Sequence, residues 1–163
     1  MSATIRYLTG DATAPRGDGP KLLVHVCNDI GKWGKGFVLA ISRRWKEPEN
    51  SFRAWHRGET SQRFALGEVQ LVEVEPSLWI ANLIGQHGVA SKQRRDPPIR
   101  YDAVRAGLAR VREHAVRLHA SVHMPRIGCG LAGGRWDQIE PLIEAELTAH
   151  GVDVIVYDPE SKH

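Results

Sequence analysis

The sequence has few of the features that mark secreted or membrane proteins. Only two cysteines, Cys27 and Cys129, stand among 163 residues, without CxxC spacing, so we expect reduced thiols and no structural zinc site. No uninterrupted run of about 18 apolar residues is present. The opening "MSATIRYLTG" lacks the basic, apolar and small-residue order of a signal peptide. We therefore expect a cytoplasmic protein with no membrane partner.

The net charge of the chain is also small. The formal net charge is +3, whereas a dedicated nucleic-acid-binding domain usually carries a dense stripe of lysine and arginine. The densest basic stretch, "SKQRR" at residues 91–95, lies just before two prolines. A solvated loop is the favoured interpretation of this stretch, and contact with phosphate is the alternative.

Strand and helix patterns alternate along the chain. Apolar runs such as "LLVHVCN", "LWIANLIG" and "VDVIVYD" predict buried strands, and Pro76 and Ser77 predict a hairpin between the two middle strands. Apolar residues at helical spacing predict a long helix from Tyr101 to Leu118, and shorter helices follow both "GKG" and "AGG". We predict one three-layer α/β/α domain over residues 1–163, with a central mixed, mostly parallel sheet.

Two loops that follow strand patterns are unusually rich in glycine. They are "CNDIGKWGKGF", with Gly31, Gly34 and Gly36, and "MPRIGCGLAGGRW", with Gly128, Gly130, Gly133 and Gly134. Glycine exposes backbone amides that a side chain would screen, and each loop leads into a helix start, where amides favour anions. Together the loops predict a bound diphosphate, with tight turns alone as the alternative. Their spacing matches neither a Rossmann fingerprint nor a P-loop.

The pattern resembles the macrodomains, a family that binds ADP-ribose. The resemblance rests on Gly10 and Asp11, on "HVCNDIGKWGKGF", on "MPRIGCGLAGGRW" and on the late "VYD", and it spans nearly the whole chain. It is greatest to the branch of the terminal ADP-ribose protein glycohydrolase. A phosphatase acting on ADP-ribose 1''-phosphate has a similar first loop. The resemblance implies a macrodomain without cofactor or metal. Its implied partners are ADP-ribose and mono-ADP-ribosylated proteins, with ADP-ribosylated nucleic acid as a further candidate.

The resemblance also implies which residues contact the ligand. Asp11, followed by Ala12, would accept a hydrogen bond from the adenine 6-amino group, which suits an ionised carboxylate. Tyr157 and Asp158 would lie near the adenine or the proximal ribose. The phosphates and distal ribose would lie between two sets of residues: Gly34, Lys35, Gly36 and Phe37, and Arg126, Ile127, Gly128, Cys129, Gly130 and Leu131.

Four polar residues near the distal end of the expected cleft are catalytic candidates: Asn28, Asp29, Gln86 and His87. Cleaving an ADP-ribosyl ester requires a positioned water, charge stabilisation at the anomeric carbon and proton transfer. Asn28 could hold a ribose hydroxyl and Asp29 could orient water. Histidine ordinarily titrates near neutrality, which favours His87. His25 has the same chemistry, although a hydrogen-bonded core histidine is the commoner interpretation in an apolar strand.

The chain departs from the related hydrolases at their catalytic positions. The glutamate-releasing branch has a lysine where this chain has Gly85 and Gln86, and an aspartate where it has Ala132. A second hydrolase branch has Val-Asp after its glycine run, whereas this chain reads "GKGFVL". Three hypotheses therefore stay open. They are a hydrolase acting on modified acidic side chains by a variant route, an ADP-ribose 1''-phosphate phosphatase, and a reader that binds ADP-ribose without turnover.

Two further residues invite a functional interpretation. Cys129 has no obvious base beside it, so a buried thiol is favoured over a nucleophile. Trp33, in the first glycine-rich loop, is the tryptophan expected to contact the ligand, whereas most of the others are expected to pack in the core.

Overall fold

The structure, a computed structural model, describes residues 3–160, so both ends of the predicted domain lie outside the described residues. The strands are β1 Ile5–Thr9, β2 Lys21–Asn28, β3 Val69–Glu75, β4 Leu78–Gln86, β5 Ser121–Met124 and β6 Val154–Asp158. The helices are α1 Phe37–Arg44, α2 Glu47–His56, α3 Tyr101–Leu118 and α4 Trp136–Glu146. None of these helices is both long and apolar enough to cross a membrane.

The six strands form one sheet in the order β1-β6-β5-β2-β4-β3. All neighbouring pairs are parallel except β3 and β4, which form the predicted hairpin. The predicted mixed, mostly parallel sheet is therefore confirmed. Pairing of β2 with β4 ends with Asn28 opposite Gln86, which brings two catalytic candidates side by side.

Helices cover both faces of the sheet, as the three-layer prediction requires. One apolar core joins α3 and α4 to the sheet and contains Leu108 and Ile143. The other joins α1 and α2 to the opposite face and contains Ile41, Phe52 and Trp55. Because parallel strands covered on both faces end at one common edge, the loops that follow β2, β4 and β5 meet there.

The helix boundaries follow the sequence patterns with one exception. The apolar face of α3 is buried at Val104, Leu108, Val111 and Ala115, as its spacing predicts. The last helix is shorter than predicted: it ends at Glu146, and the fully buried Leu147 is its C-cap. A 3-10 turn, Thr148–His150, follows and ends at Gly151, which has a φ of 79°.

Candidate functional site

A cleft of about 830 Å³ opens where β2, β4 and β5 end. Ligands of open α/β sheets bind at this edge, and the volume lies in the range of small-molecule sites. Residues from four segments line the cleft: 25–28, 32–38, 86–91 and 125–132. The structure thus brings both glycine-rich loops to one cavity. Lys35, Phe37, Ile127 and Leu131 are among the predicted ligand-binding residues that line it.

Asn28 shapes the first glycine-rich loop. Its Nδ2 donates to the carbonyl of Lys32 at 2.7 Å. Its Oδ1 accepts hydrogen bonds from the amides of Ile30 and Lys32 at 3.1 and 3.0 Å. A side chain that bonds the backbone a few residues onward fixes a local turn. Because Nδ2 has two hydrogens, one is left for a molecule in the cleft that Asn28 lines.

Gly34 and Gly130, on opposite walls of the cleft, have open space where a side chain would lie. Neither has a positive φ. Apart from the two chain neighbours, no atom of the described residues would lie within 4 Å of a Cβ built on either residue. Protein packing and backbone geometry therefore do not explain the glycine at these two positions. The missing side chains leave room for a molecule to approach the backbone.

Backbone amides beside these two glycines are unpaired. Among residues 3–160, no backbone carbonyl accepts a hydrogen bond from the amides of Gly34, Lys35, Gly130 or Leu131. The first loop runs directly into α1, whose N-cap, Gly36, has no side chain to cap the first turn. Unpaired amides favour anions both at a helix start, as in the first loop, and in an exposed loop, as at Gly130 and Leu131, so both walls present donors suited to phosphate oxygens.

Other glycines of the second loop are explained by the turn itself. The amide of Gly134 donates to the carbonyl of Gly128 at 2.7 Å, and a Cβ on Gly134 would lie 2.5 Å from that oxygen. Gly128 has a φ of 73°, and a Cβ added to it would lie 2.7 Å from Cδ1 of Ile99.

The exposed Leu131 extends across the cleft toward Gly36. A Cβ added to Gly36 would lie 3.5 Å from Cδ1 of Leu131. The two loops therefore approach each other over the cleft.

His25 lies in the wall of the cleft as a neutral imidazole. It is 1% exposed, and burial lowers its pKa to about 4 although a hydrogen bond to Asn82 opposes the shift. Its Nε2 lies 2.6 Å from Oδ1 of Asn82. The amide nitrogen of Asn82 donates to Pro48 and Gln70, so Oδ1 accepts a hydrogen bond from Nε2–H of His25. Nδ1 therefore keeps its lone pair, 3.9 Å from Sγ of Cys27.

Asp29 and His87 contact each other through a hydrogen bond where β2 and β4 end. Oδ2 of Asp29 lies 2.7 Å from Nδ1 of His87, and Oδ1 accepts the amide hydrogen of Gly88 at 2.8 Å. Partial burial raises the pKa of Asp29, but these hydrogen bonds outweigh it and hold the pKa below its ordinary value. Neither residue lines the cleft, whereas their neighbours Asn28 and Gln86 do. The four catalytic candidates are thus together, two in the lining and two beside it.

Asp11 begins a loop that lies beside the cleft without lining it. Its Oδ1 accepts hydrogen bonds from the amide and hydroxyl of Thr13, and its Oδ2 lies 3.3 Å from Nη2 of Arg44. Slight burial raises the pKa of Asp11, but Thr13 and Arg44 together hold the pKa below its ordinary value. The next residue, Ala12, has its side chain in the same apolar core as Val38, which lines the cleft. The side chain of Ala12 is therefore a packing group.

The structure corrects the expected contact between the Tyr157 side chain and ligand. Tyr157 is 1% exposed, because β6 is covered on both faces. Its hydroxyl accepts the amide hydrogen of Arg16 at 2.8 Å and lies 2.8 Å from Nδ1 of His123. The ring therefore anchors the loop that contains Asp11, and it does not line the cleft.

Arg126 borders the cleft, but its guanidinium is bound on the outer surface. Nε and Nη2 contact the two carboxylate oxygens of Asp158 at 2.6 and 3.0 Å. The guanidinium also lies 5.1 Å from the ring centres of Tyr7 and Trp136. A cation held between two aromatic rings and a carboxylate ties β1, β6 and α4 together.

The prediction that Trp33 contacts the ligand is wrong. Trp33 is 4% exposed, its Nε1 donates to Oγ of Ser42 at 2.8 Å, and its ring packs edge-on against His25. Cys129 is half-buried and is not in the lining, and burial raises the pKa of its thiol. The interpretation of Cys129 as a packing residue fits this position better than a ligand contact does.

Sequence reasoning missed the loop after β4. Val89, Ala90 and Ser91 line the cleft next to the basic "SKQRR" stretch. The available signal was the position of this loop, which follows a buried strand and so reaches the same sheet edge as the two glycine-rich loops. With Gly88 as its single glycine, it did not have the glycine-rich pattern that marked the other two loops. Arg44 was also missed, since nothing in the sequence pairs it with Asp11.

Comparison with known proteins decides the family. No model of a known protein family matches the chain. A solved macrodomain protein from Streptomyces coelicolor is 55% identical, with 95% of this chain and 99% of that chain covered and a TM-score of 0.84. This chain is a macrodomain. The macrodomain also superposes on a protein of unknown function from Bacteroides thetaiotaomicron, at 54% identity and a TM-score of 0.90, over 95% and 98% of the two chains.

Curated relatives of the macrodomain differ in length and in name. Chromodomain-helicase-DNA-binding protein 1-like of Danio rerio is 33% identical over 94% of this chain, which spans only 15% of that protein. The ADP-ribose glycohydrolase OARD1 of Bos taurus is 25% identical over 94% of this chain and 90% of its own length. A DNA ADP-ribosyl glycohydrolase of Thermus aquaticus is 28% identical over 84% of this chain and 37% of its own length. An ADP-ribose 1''-phosphate phosphatase of Chaetomium globosum is 26% identical over 84% and 80%.

Proposed function

We propose that this macrodomain binds ADP-ribose, with the diphosphate between its two glycine-rich loops. The observation that carries the proposal is the pair of open glycines, Gly34 and Gly130, with unpaired amides beside them. Backbone donors on a surface without side chains suit a diphosphate better than an uncharged ligand. Lys35 lines the same wall and adds positive charge. Asp11 would accept a hydrogen bond from the adenine 6-amino group, as the family resemblance implies.

We further propose that the macrodomain hydrolyses the ester between ADP-ribose and an acidic side chain of a modified protein. Water adds its oxygen to the anomeric carbon, the bond from that carbon to the carboxyl oxygen breaks, and the carboxylate leaves. Asn28 and Gln86, in the lining, would hold the ribose hydroxyls and the water. Asp29 and His87, beside them, would take up the proton that water loses. A phosphate of the substrate would help to activate the water.

The proposed route differs from a lysine and aspartate mechanism because this chain lacks both residues at the matching positions. A Cβ on Gly85 would lie 2.9 Å from Cγ2 of Val104 and 3.1 Å from Cγ1 of Val26, so a lysine has no space there. Ala132, at the aspartate position, lines the cleft with an apolar side chain and so offers no carboxylate there. The polar groups of this macrodomain that could act instead are those at the ends of β2 and β4.

A nucleic-acid acceptor is the second candidate substrate. Four exposed cations near the cleft form no ion pair within residues 3–160: Lys32, Lys35, Lys92 and Arg95. Free cations beside a cleft attract a phosphate backbone, and one relative is named a DNA ADP-ribosyl glycohydrolase. ADP-ribose attached to DNA would present the same ligand to the same loops.

The phosphatase hypothesis depends on His25 or His87. Burial lowers the pKa of His25 to about 4, so His25 is a weak base, and it has no proton on Nδ1 to donate to a leaving group. The relative named as a phosphatase keeps the hypothesis open to test.

One experiment separates these hypotheses. The protein is incubated with three substrates: a protein mono-ADP-ribosylated on glutamate, an ADP-ribosylated DNA oligonucleotide, and ADP-ribose 1''-phosphate. Free ADP-ribose is scored by mass spectrometry, and phosphate is scored for the third substrate. We expect release from glutamate. Release only from DNA, or only of phosphate, would replace the proposed substrate. Calorimetric binding of ADP-ribose without any release would make the protein a reader.

A further inference from the structure

We propose that Arg44 is a positioning residue that orients the carboxylate of Asp11 and thereby sets the preference for adenine over other purines. This inference rests on the proposed function, because it takes Asp11 as the acceptor of the adenine 6-amino group. Arg44 itself would not contact the ligand in this role. It would act through the two side chains that it holds.

Three side chains form a closed hydrogen-bonded set around the carboxylate. Nε of Arg44 donates to Oγ1 of Thr13 at 2.8 Å. That hydroxyl donates in turn to Oδ1 of Asp11 at 2.7 Å. Nη2 of Arg44 lies 3.3 Å from the other oxygen, Oδ2. Both carboxylate oxygens are therefore held, which fixes a torsion angle that is otherwise broad in aspartate.

The pair stays accessible to a ligand. The side chains of Arg44 and Asp11 are 47% and 57% exposed. An ionised carboxylate has about four lone-pair sites, so Oδ2 can accept a further hydrogen bond while it contacts Arg44. The guanidinium thus orients the acceptor without blocking it.

Arg44 also connects the adenine end of the proposed site to the phosphate end. It lies in the last turn of α1, and the first residues of that helix, Phe37 and Val38, line the cleft. A helix of eight residues is about 12 Å long and rigid on this scale. The loop that would bind phosphate and the guanidinium that orients Asp11 therefore lie at opposite ends of one short helix.

The chemistry of the base makes orientation measurable. The 6-amino group of adenine donates to a carboxylate, whereas the 6-oxo group of hypoxanthine accepts and is repelled by it. The ratio of affinities for ADP-ribose and its inosine analogue reports how well Asp11 is aimed. A general loss of stability would not change this ratio. Lysine could supply the charge of Arg44 but not its planar pair of donors.

The test is calorimetry with both compounds on wild type and four variants. Arg44→Ala should lower the adenine preference by a factor of about two to five, the range of an exposed ion pair. Arg44→Lys should lie between Arg44→Ala and wild type. Arg43→Ala is the matched control, since Arg43 is the exposed neighbour in the same turn and has no ion pair among residues 3–160, and it should keep the full preference. Asp11→Ala should abolish the preference.

The possible failures are distinguishable. If Arg44→Ala keeps the wild-type ratio while Asp11→Ala abolishes it, the role of Arg44 is overturned and the proposed function stands. If Asp11→Ala also keeps the ratio, the adenine placement is wrong and the inference falls with it. If the wild-type protein binds neither compound, the proposed function is wrong, and the role of Arg44 that rests on it is wrong as well.

Discussion

The carboxylate of Asp29 and the imidazole of His87 meet at 2.7 Å although the two residues are 58 positions apart in the chain. Each lies one residue beyond the end of its strand, β2 or β4, and the parallel pairing of those strands brings them together. Contact through Nδ1 turns Nε2 away from the carboxylate. An aspartate that orients a histidine in this way is the arrangement used by general bases.

Removing either member of this pair should slow hydrolysis more than it weakens binding. We expect Asp29→Ala and His87→Ala each to lower kcat for release from glutamate by roughly a hundredfold, the typical contribution of general acid-base catalysis. Calorimetry should show an affinity for ADP-ribose within about twofold of wild type. His150→Ala is a suitable control, because His150 is exposed in the 3-10 turn and does not line the cleft. Unchanged kcat in both variants would remove the pair from the mechanism.

Two glycines of the second loop should respond to substitution in opposite ways. Gly130→Val places a side chain in open space at the cleft, so we expect little change in Tm but at least about a tenfold loss of ADP-ribose affinity. Gly128→Ala introduces a Cβ at positive φ and 2.7 Å from Ile99, so Tm should fall. Thermal unfolding and calorimetry on both variants check this contrast. Normal ADP-ribose binding by Gly130→Val would contradict the placement of the diphosphate.

Stability should fall as the solution becomes acidic, well before the carboxylates titrate. Burial lowers the pKa of His25 and of His123 to about 4, from an ordinary 6.5. Between these values the unfolded chain binds protons that the folded chain excludes, so the stabilisation present above 6.5 is lost toward 4.

This pH dependence can be measured in two ways. From about pH 7.5 to about pH 5, each histidine should lower the free energy of unfolding by roughly 2 kcal/mol. Urea denaturation at the two pH values gives the size of the change. Proton NMR should show two imidazoles whose signals stay constant down to about pH 5. Equal free energies of unfolding at both pH values would contradict the burial of two neutral histidines.

Tyr157→Phe should affect stability and leave ligand affinity largely unchanged. The variant loses the hydroxyl that bonds the Arg16 amide and His123, which we expect to cost about 1 to 2 kcal/mol of unfolding free energy. Affinity for ADP-ribose should stay within about twofold. Tyr7→Phe removes a hydroxyl from a more exposed ring and should cost less. A large loss of affinity without loss of stability would restore Tyr157 as a ligand contact.

Local sequence patterns were sufficient for most of the fold. The spacing of apolar residues predicted α3 because a long amphipathic helix repeats its signal over several turns. Pro76 and Ser77 predicted the hairpin because the turn chemistry is local. The burial of Trp33 and Tyr157 could not be predicted in the same way. In strands and loops that are covered on both sides, apolar residues follow one another without alternation. The sequence pattern therefore does not show to which face each side chain points.

The sequence by itself determined the order of strands and helices and placed two glycine-rich backbone segments after strands that end at one sheet edge, because these features depend on neighbours along the chain. Only the tertiary structure decided which glycines close a turn, as Gly128 does, and which face open space, as Gly130 does. It alone paired Asp29 with His87 and Arg44 with Asp11. Such choices depend on contacts between residues distant in sequence, and those contacts exist only once the sheet has formed.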